Sequence, residues 1–472
     1  MSNAAGTNIV TVLEHCRISP PHDPSLTETF LPLTLFDMLW LNWPSPGRVY
    51  FYDFPCSTTE FKQTLVPHLK NSLALTLKHF YPFCGNVITA TSLSDRTTPA
   101  IRYLNGDSVS LTVAEFSGTN SEGFDHLSGN HARGVDELFA LVPELSRGGT
   151  ETDVGNNIHI SPVLSVQVTL FPDQGYSIGY RISHVVADGK TLSNFIRTWA
   201  SINVKQLNGE NDFDNLETLP FYDRSVIKDP KGIASIFLQY SLRTRLQKDY
   251  EKAFAPAADK NTLVDATIIL DREQIQGLKN SVSDQVPRVS TFVVVCAYVW
   301  TCMAKTRAAL GQDMNNGNQV EEHFIFAMDA RDRLDPPIPS NYFGNTIVPC
   351  WATQKTSQLV GEKGFANAVE AIRNALYEKI NNDEGPLKGL EMYFDRNEAT
   401  KGQVKFGVAG SPKFNYYNAD FGWGKPKKYE IVSEKFGLIG SNESEGGLEL
   451  GFCFSKMEMD VFTAIFTQGL LD

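Results

Sequence analysis

The stretch Tyr176 to Trp199, YSIGYRISHVVADGKTLSNFIRTW, changes its hydrophobic period halfway along. Tyr176, Ile178, Tyr180 and Ile182 alternate with Ser177, Gly179, Arg181 and Ser183, a period of two that specifies a strand. Leu192, Phe195, Trp199 and Ile202 then recur at helical spacing. The loop between strand and helix carries His184 and Asp188, with Gly189 behind them. A histidine on such a loop can act as a general base when a neighbour fixes its ring. The spacing His-x-x-x-Asp is by itself a weak signal. Without further support the plainer reading, a packed histidine beside a helix-capping aspartate, prevails.

Upstream, Pro162 to Leu170 alternates as a second strand, and Pro172-Asp-Gln-Gly175 turns it back as a hairpin. Val49 to Phe54 reads as an early strand. Ser57 and Glu60 have capping-box spacing ahead of Phe61, Leu65, Leu69, Leu73 and Leu77, a helix that Pro67 kinks or starts. His159 has no motif around it and reads as a surface or satisfied core residue, and His15 and His22 read as loop residues. Lys205 to Pro230 is polar and aperiodic. It reads as a linker at 205–230, dividing an N-terminal domain (1–204) from a C-terminal one (231–472). Beyond it come a strand at Leu263 to Leu270, an apolar helix opened by Ser290 and Thr291, and a strand ending at Asp329-Ala-Arg331. A late strand at Leu448 to Phe454 and a closing helix from Met457 follow. Strands and helices interleave in both halves, which predicts an α/β protein of two domains with mixed sheets and flanking helices.

Composition narrows the function classes. The 472 residues are 42 % hydrophobic and 20 % charged, the profile of a globular domain protein. A net charge of −12 argues against nucleic acid as a partner, because neutralising phosphates needs a cationic surface. The N-terminal residues show no signal peptide. The longest apolar run, Phe292 to Ala304, is too short to span a bilayer and reads as a buried helix, so no membrane is expected. Seven scattered cysteines without a CxxC pair suit reduced core thiols and a cytoplasmic location, not a disulfide framework or a metal site.

The second unusual segment is Asn415-Tyr-Tyr-Asn-Ala-Asp420-Phe-Gly422-Trp-Gly424-Lys-Pro-Lys-Lys428. With His184-x-x-x-Asp188-Gly189, it makes the chain resemble the plant BAHD acyltransferases, which pair an HxxxDG loop with a later DFGWG segment. Leu31-Pro-Leu-Thr-Leu-Phe-Asp37 matches a signature of the flavonoid and phenolic glucoside malonyltransferase branch, with Leu35 where Phe is common. Asn341-Tyr-Phe-Gly-Asn-Thr346 matches that branch's YFGNC motif, with Thr346 in place of Cys. The resemblance implies two α/β domains of similar size joined by a long crossover loop, with the active site in a channel at their interface. It implies an acyl-CoA-dependent O-acyltransferase moving malonyl from malonyl-CoA to a sugar hydroxyl of a phenolic glucoside. Malonyl-CoA would be a co-substrate, with no permanently bound cofactor, and the protein a monomer.

Residue by residue, the resemblance makes His184 the general base of a direct transfer in a ternary complex. Asp188 becomes a loop anchor paired with Arg331. Asp420, Gly422 and Gly424 become structural, and Ser290, Thr291, Ser411 and Lys413 are placed near the coenzyme. One expectation comes from the residues themselves. Arg181 is the nearest cation before His184, on the small-residue side of the strand, and is expected to grip the malonyl carboxylate. Three alternatives stay open: a transferase using another aliphatic or aromatic acyl-CoA, an inactive acyl-CoA or phenolic binding protein, and a thioesterase-like hydrolase.

Overall fold

The expected hairpin lies at the centre of a six-stranded sheet. The computed structural model describes residues 9–24, 26–91, 98–118, 123–153, 156–213, 216, 219–245, 262–312 and 320–471. In it Leu164–Phe171 pairs antiparallel with Gly175–Ile182, setting Val166 opposite Tyr180. Across the sheet the order is Val10–Ile18, Val109–Phe116, Leu164–Phe171, Gly175–Ile182, Gly47–Tyr52 and Lys428–Val432. His15 therefore sits on an edge strand, not in a loop, with Nδ1 3.1 Å from Thr112 Oγ1.

Directly opposed residues of neighbouring strands share a face. Tyr176 faces Tyr52 and Tyr180 faces Arg48. Tyr429 on the last strand faces Tyr50. One side of the sheet is therefore a layer of tyrosines with Arg48 among them. The other side carries Val49, Phe51 and Phe171, packed against Phe124, Leu138, Leu141 and Val142. Gly179 belongs to this second side, and a Cβ there would lie 1.9 Å from the Leu141 carbonyl oxygen.

Ser57 caps the predicted helix by accepting from the Glu60 N–H (3.2 Å). The helix makes a π turn at Phe61–Leu65 before the regular Val66–His79 segment. That turn falls just ahead of Pro67, whose missing N–H is absorbed at the start of the α-helical run. Val66–His79 packs on Gly189–Leu207, where Trp199 Nε1 donates to Ser72 Oγ (3.0 Å). A second, five-stranded sheet runs Glu28–Pro32, Ala100–Leu104, Asn86–Ala90, Asn156–Pro162 and Gly149–Asp153.

The chain forms two compact units, Met1–Asn261 with Pro339–Asn345 and Phe414–Val432, and Thr262–Ile338 with Thr346–Lys413 and Ser433–Asp472. This corrects the expected division at 205–230. That segment belongs to the first unit: the helix from Gly189 continues to Leu207, and Phe221 exchanges backbone hydrogen bonds with Asn341 and Phe343. The DFGWG segment also lies in the first unit, not in a domain 231–472, because Lys428–Val432 pairs with the Gly47–Tyr52 edge. The first unit is consequently the larger.

In the second unit Ile347–Lys355, Glu321–Asp329 and Val404–Gly407 form one sheet, and Leu263–Leu270 pairs with Leu448–Ser455 in another. Its core helix, Thr291–Ala309, is long and apolar enough to cross a membrane, but most of it is buried inside the unit. Tyr298 meets Phe466 edge-on at 4.9 Å, and Trp300 Nε1 donates to Glu322 (3.2 Å). The seven cysteines are free thiols, six of them buried.

Gly179→Ala is expected to destabilise the first unit by about 1–3 kcal/mol, the usual cost of overpacking. Urea denaturation checks this, and an unchanged midpoint would contradict the close approach of Leu141.

Candidate active site

Ser183 closes the hairpin by donating its N–H to the Val163 carbonyl (2.9 Å), and the chain then turns, with Val186 N–H donating to Ser183 O (3.2 Å). Asp188 is buried and caps the Gly189–Leu207 helix, accepting from the Thr191 N–H (3.0 Å). Within that turn sits His184, which keeps part of its surface accessible. Its ring stacks on Trp40, centroids 3.7 Å apart and planes 15° from parallel.

Trp40 follows the single helical turn Leu35–Met38, and that turn carries a buried carboxylate, Asp37. Asp37 accepts from Thr34 N–H (2.9 Å) and Thr34 Oγ1 (2.8 Å). It also accepts from the Asn345 backbone N–H (3.1 Å) and Asn345 Nδ2 (3.0 Å). Arg224 Nη1 lies 3.4 Å from its other oxygen and donates to the Tyr342 hydroxyl (2.7 Å). Asn345 Nδ2 reaches further, to the carbonyls of His184 (2.9 Å) and Val185 (3.1 Å). Thr191 donates its hydroxyl to the Gly344 carbonyl (3.0 Å). The histidine loop is thus tied to the Pro339–Asn345 segment at both ends.

Burial pushes the His184 imidazole down to about 4. Its own carbonyl, Asp188 and Asn345 pull the other way, while Arg48 adds to the depression. At neutral pH the ring is therefore uncharged, the state a general base requires.

The other expected residues fall in different places. Asp420 Oδ1 accepts from the N–H groups of Gly422 (2.7 Å) and Gly424 (3.1 Å). Those glycines have φ of +96° and +110°, which side chains strongly disfavour. Phe421, just before these glycines, is buried edge-on against Trp199 (4.9 Å), and its carbonyl accepts from Asn203 Nδ2 (2.6 Å). Arg331 is fully buried in the second unit, with Nη1 3.2 Å from Asp329 Oδ1. Ser290 caps the Thr291–Ala309 helix, accepting from Val293 N–H (3.3 Å), and Ser411 Oγ accepts from Lys413 N–H (3.3 Å). All four coenzyme candidates, Ser290, Thr291, Ser411 and Lys413, belong to the second unit.

Arg181 keeps the small-residue side of the strand expected for it. It sits on the sheet face of Gly179, opposite the tyrosine layer, with its guanidinium over the Phe139 ring at 5.5 Å. Burial lowers its pKa against the opposing pull of Glu144. The cation on the tyrosine face is Arg48, which sequence reasoning did not single out. Asp37, Trp40 and Asn345 were missed as site residues too, although each lies in or beside a motif quoted above for resemblance alone.

Comparison with known proteins sets this fold and histidine loop among group-transfer enzymes. The Transferase family model matches residues 9–468. A malonyl-coenzyme A:anthocyanin 3-O-glucoside-6''-O-malonyltransferase of Dahlia pinnata is 38 % identical, covering 98 % of this chain and 97 % of its own. Phenolic glucoside malonyltransferase 1 of Nicotiana tabacum is 39 % identical, covering 98 % and 99 %. Among solved structures, vinorine synthase has the same fold, with a TM-score of 0.66 at 21 % identity and 96 % of both chains covered. The chain belongs to the Transferase family, as one of the BAHD acyltransferases.

Two outcomes follow for His184. His184→Ala is expected to lower kcat by about 10²–10⁴-fold, the range for loss of a general base, and a variant keeping more than a tenth of the activity would refute the role. Since the neutral ring persists well below its ordinary pKa, activity should hold as pH falls through 6.5 and decline only nearer 4. A pH profile of kcat/KM with its acid limb at 6.5 would contradict this. Asp188→Ala should cost about 0.5–2 kcal/mol through the lost cap, read as a lower denaturation midpoint.

Proposed function

We propose that the protein transfers malonyl from malonyl-CoA to a glucose hydroxyl of a flavonoid or other phenolic glucoside. The observation that carries the reading is the neutral, stacked imidazole of His184 on a loop held by Asn345 and Asp188. His184 takes the proton from the acceptor hydroxyl as that oxygen attacks the thioester carbonyl. The tetrahedral intermediate collapses, the carbon–sulfur bond breaks, and the departing thiolate collects the proton from His184. A thiolate leaves readily, so no acyl-enzyme is needed. The malonyl donor and glucoside acceptor are supported by the activities named for the Dahlia pinnata and Nicotiana tabacum relatives.

A second donor class has a specific observation behind it. A coumaroyl-CoA:anthocyanidin 3-O-glucoside-6''-O-coumaroyltransferase of Arabidopsis thaliana is 33 % identical over 97 % of this chain. A free-thiol assay with malonyl-, acetyl- and coumaroyl-CoA, with and without a phenolic glucoside, separates the readings. Thiol release that requires the glucoside and is fastest with malonyl-CoA is the expected result. Fastest release with coumaroyl-CoA would replace the donor, release without glucoside would indicate a thioesterase, and binding without release an inactive protein.

The same assay tests Arg181. Loss of a hydrogen-bonded charge partner for the malonyl carboxylate would lower the malonyl-to-acetyl preference by about 10- to 150-fold. From its place over Phe139, Arg181→Ala is expected to leave that preference unchanged.

A further inference from the structure

The strand Gly175–Ile182 runs toward the histidine loop, and its neighbour Gly47–Tyr52 begins beside that end. Register sets Arg48 opposite Tyr180 and Gly47 opposite Arg181. Backbone pairing continues one residue past the strand, where the Ser183 N–H donates to the Val163 carbonyl (2.9 Å). Side chains alternate along such a run, so the face of Tyr180 and Ile182 reaches His184 as its next position. Arg48 belongs to that same face, at the end of its strand nearest the loop. On the outer neighbour, Ile431 is the residue opposite Arg48.

Among the described residues, the other charged side chains that the strands place on this face are Glu14 and Glu115. Glu14 lies on the edge strand and is paired with Lys70 (2.7 Å), and Glu115 accepts from Thr58 Oγ1 (3.0 Å). Arg48 is thus the cation that the sheet turns to the side of the base. Its Nη1 donates to the Gly47 carbonyl (3.0 Å), which holds the guanidinium at the start of the strand. Tyr50, Tyr52, Tyr176 and Tyr180 are sealed, whereas Arg48 and His184 each keep part of their surface accessible. Tyr416 stacks on Tyr429 at 4.0 Å, and the Tyr429 hydroxyl lies 3.3 Å from that of Tyr180. Buried rings of this kind lower the local dielectric and strengthen an ion pair beside them. The cation is also near enough for the base to feel it: burial and Arg48 are the two influences that hold the His184 pKa down.

A malonyl donor carries its carboxylate one methylene beyond the thioester carbonyl that the acceptor oxygen attacks. Desolvating that charge close to the base is costly unless a cation meets it. We propose that Arg48 selects malonyl-CoA, its guanidinium fork binding the terminal carboxylate while His184 deprotonates the acceptor. A planar group with five N–H donors can hold a backbone carbonyl and a carboxylate together. Acetyl and coumaroyl groups offer no carboxylate to bind. The assignment rests on the malonyl reading given above, and it gives the role expected of Arg181 to a residue on the opposite face of the sheet.

The experiment measures kcat/KM for malonyl-CoA and acetyl-CoA, with a phenolic glucoside at saturation, in the wild type, Arg48→Gln and Arg48→Lys. The malonyl-to-acetyl ratio is the readout, because a merely structural defect lowers both rates alike. A wild type that prefers malonyl-CoA, and a ratio lower by about 10- to 150-fold in Arg48→Gln, is the expected result, the range for losing a hydrogen bond to a charged group. Arg48→Lys keeps the charge without the fork, so its ratio should fall between those two. A ratio that survives in Arg48→Gln overturns the proposal and leaves malonyl transfer standing. A rise in KM for the glucoside at constant ratio also overturns it, and would assign Arg48 to the acceptor. A wild type without malonyl preference overturns the donor reading, and this assignment with it. Should Arg48→Gln fail to fold, an unchanged ratio in Arg48→Lys overturns the proposal.

Discussion

The carboxylate of Asp37 is the constraint on which the site depends. A buried charge is costly unless donors satisfy it, and removing one of them leaves the rest stranded. Asp37 collects donors from Thr34, Arg224 and Asn345, residues distant in sequence that all belong to the first unit. Each must arrive for the carboxylate to be tolerated, so their positions are determined together. Asn345 then passes that order on to the His184 carbonyl.

Much of this was legible at the level of local pattern. Alternation identified the hairpin, helical spacing identified the helix behind His184, and the loop between them carries His184. The alternative reading of Asp188 as a helix cap also describes what the side chain does. Cap and loop anchor are compatible, because a side chain that begins the helix also determines where the preceding loop ends.

What local pattern could not reveal was which residues of neighbouring strands share each side of the sheet. Both faces are largely buried, so alternation separated Arg181 from Tyr180 without indicating which neighbours each would meet. Register decided it: pairing with Gly47–Tyr52 put Arg48 beside Tyr180 and left Arg181 over Phe139. The domain boundary failed for a related reason. A polar, aperiodic stretch looks like a linker, whereas Phe221 within it is fastened through its backbone, which carries no side-chain signature. The motifs at 341–346 and 415–428 stood out by resemblance, but the return of Pro339–Asn345 and Phe414–Val432 to the first unit is a long-range pairing that no window of sequence contains.

That return has a consequence for how the polypeptide is made. During synthesis the Gly47–Tyr52 strand emerges early, while its outer neighbour Lys428–Val432 follows after nearly the whole of the chain. Until then the strand presents unpaired N–H and C=O groups along a hydrophobic edge, the kind of surface that invites pairing with another chain. A fragment ending at Asn261 would keep that edge open permanently and lack Asn345 as well, leaving Asp37 without two of its donors. The first unit is therefore not a separable module, and dissecting this protein at its apparent midpoint would yield an aggregation-prone half.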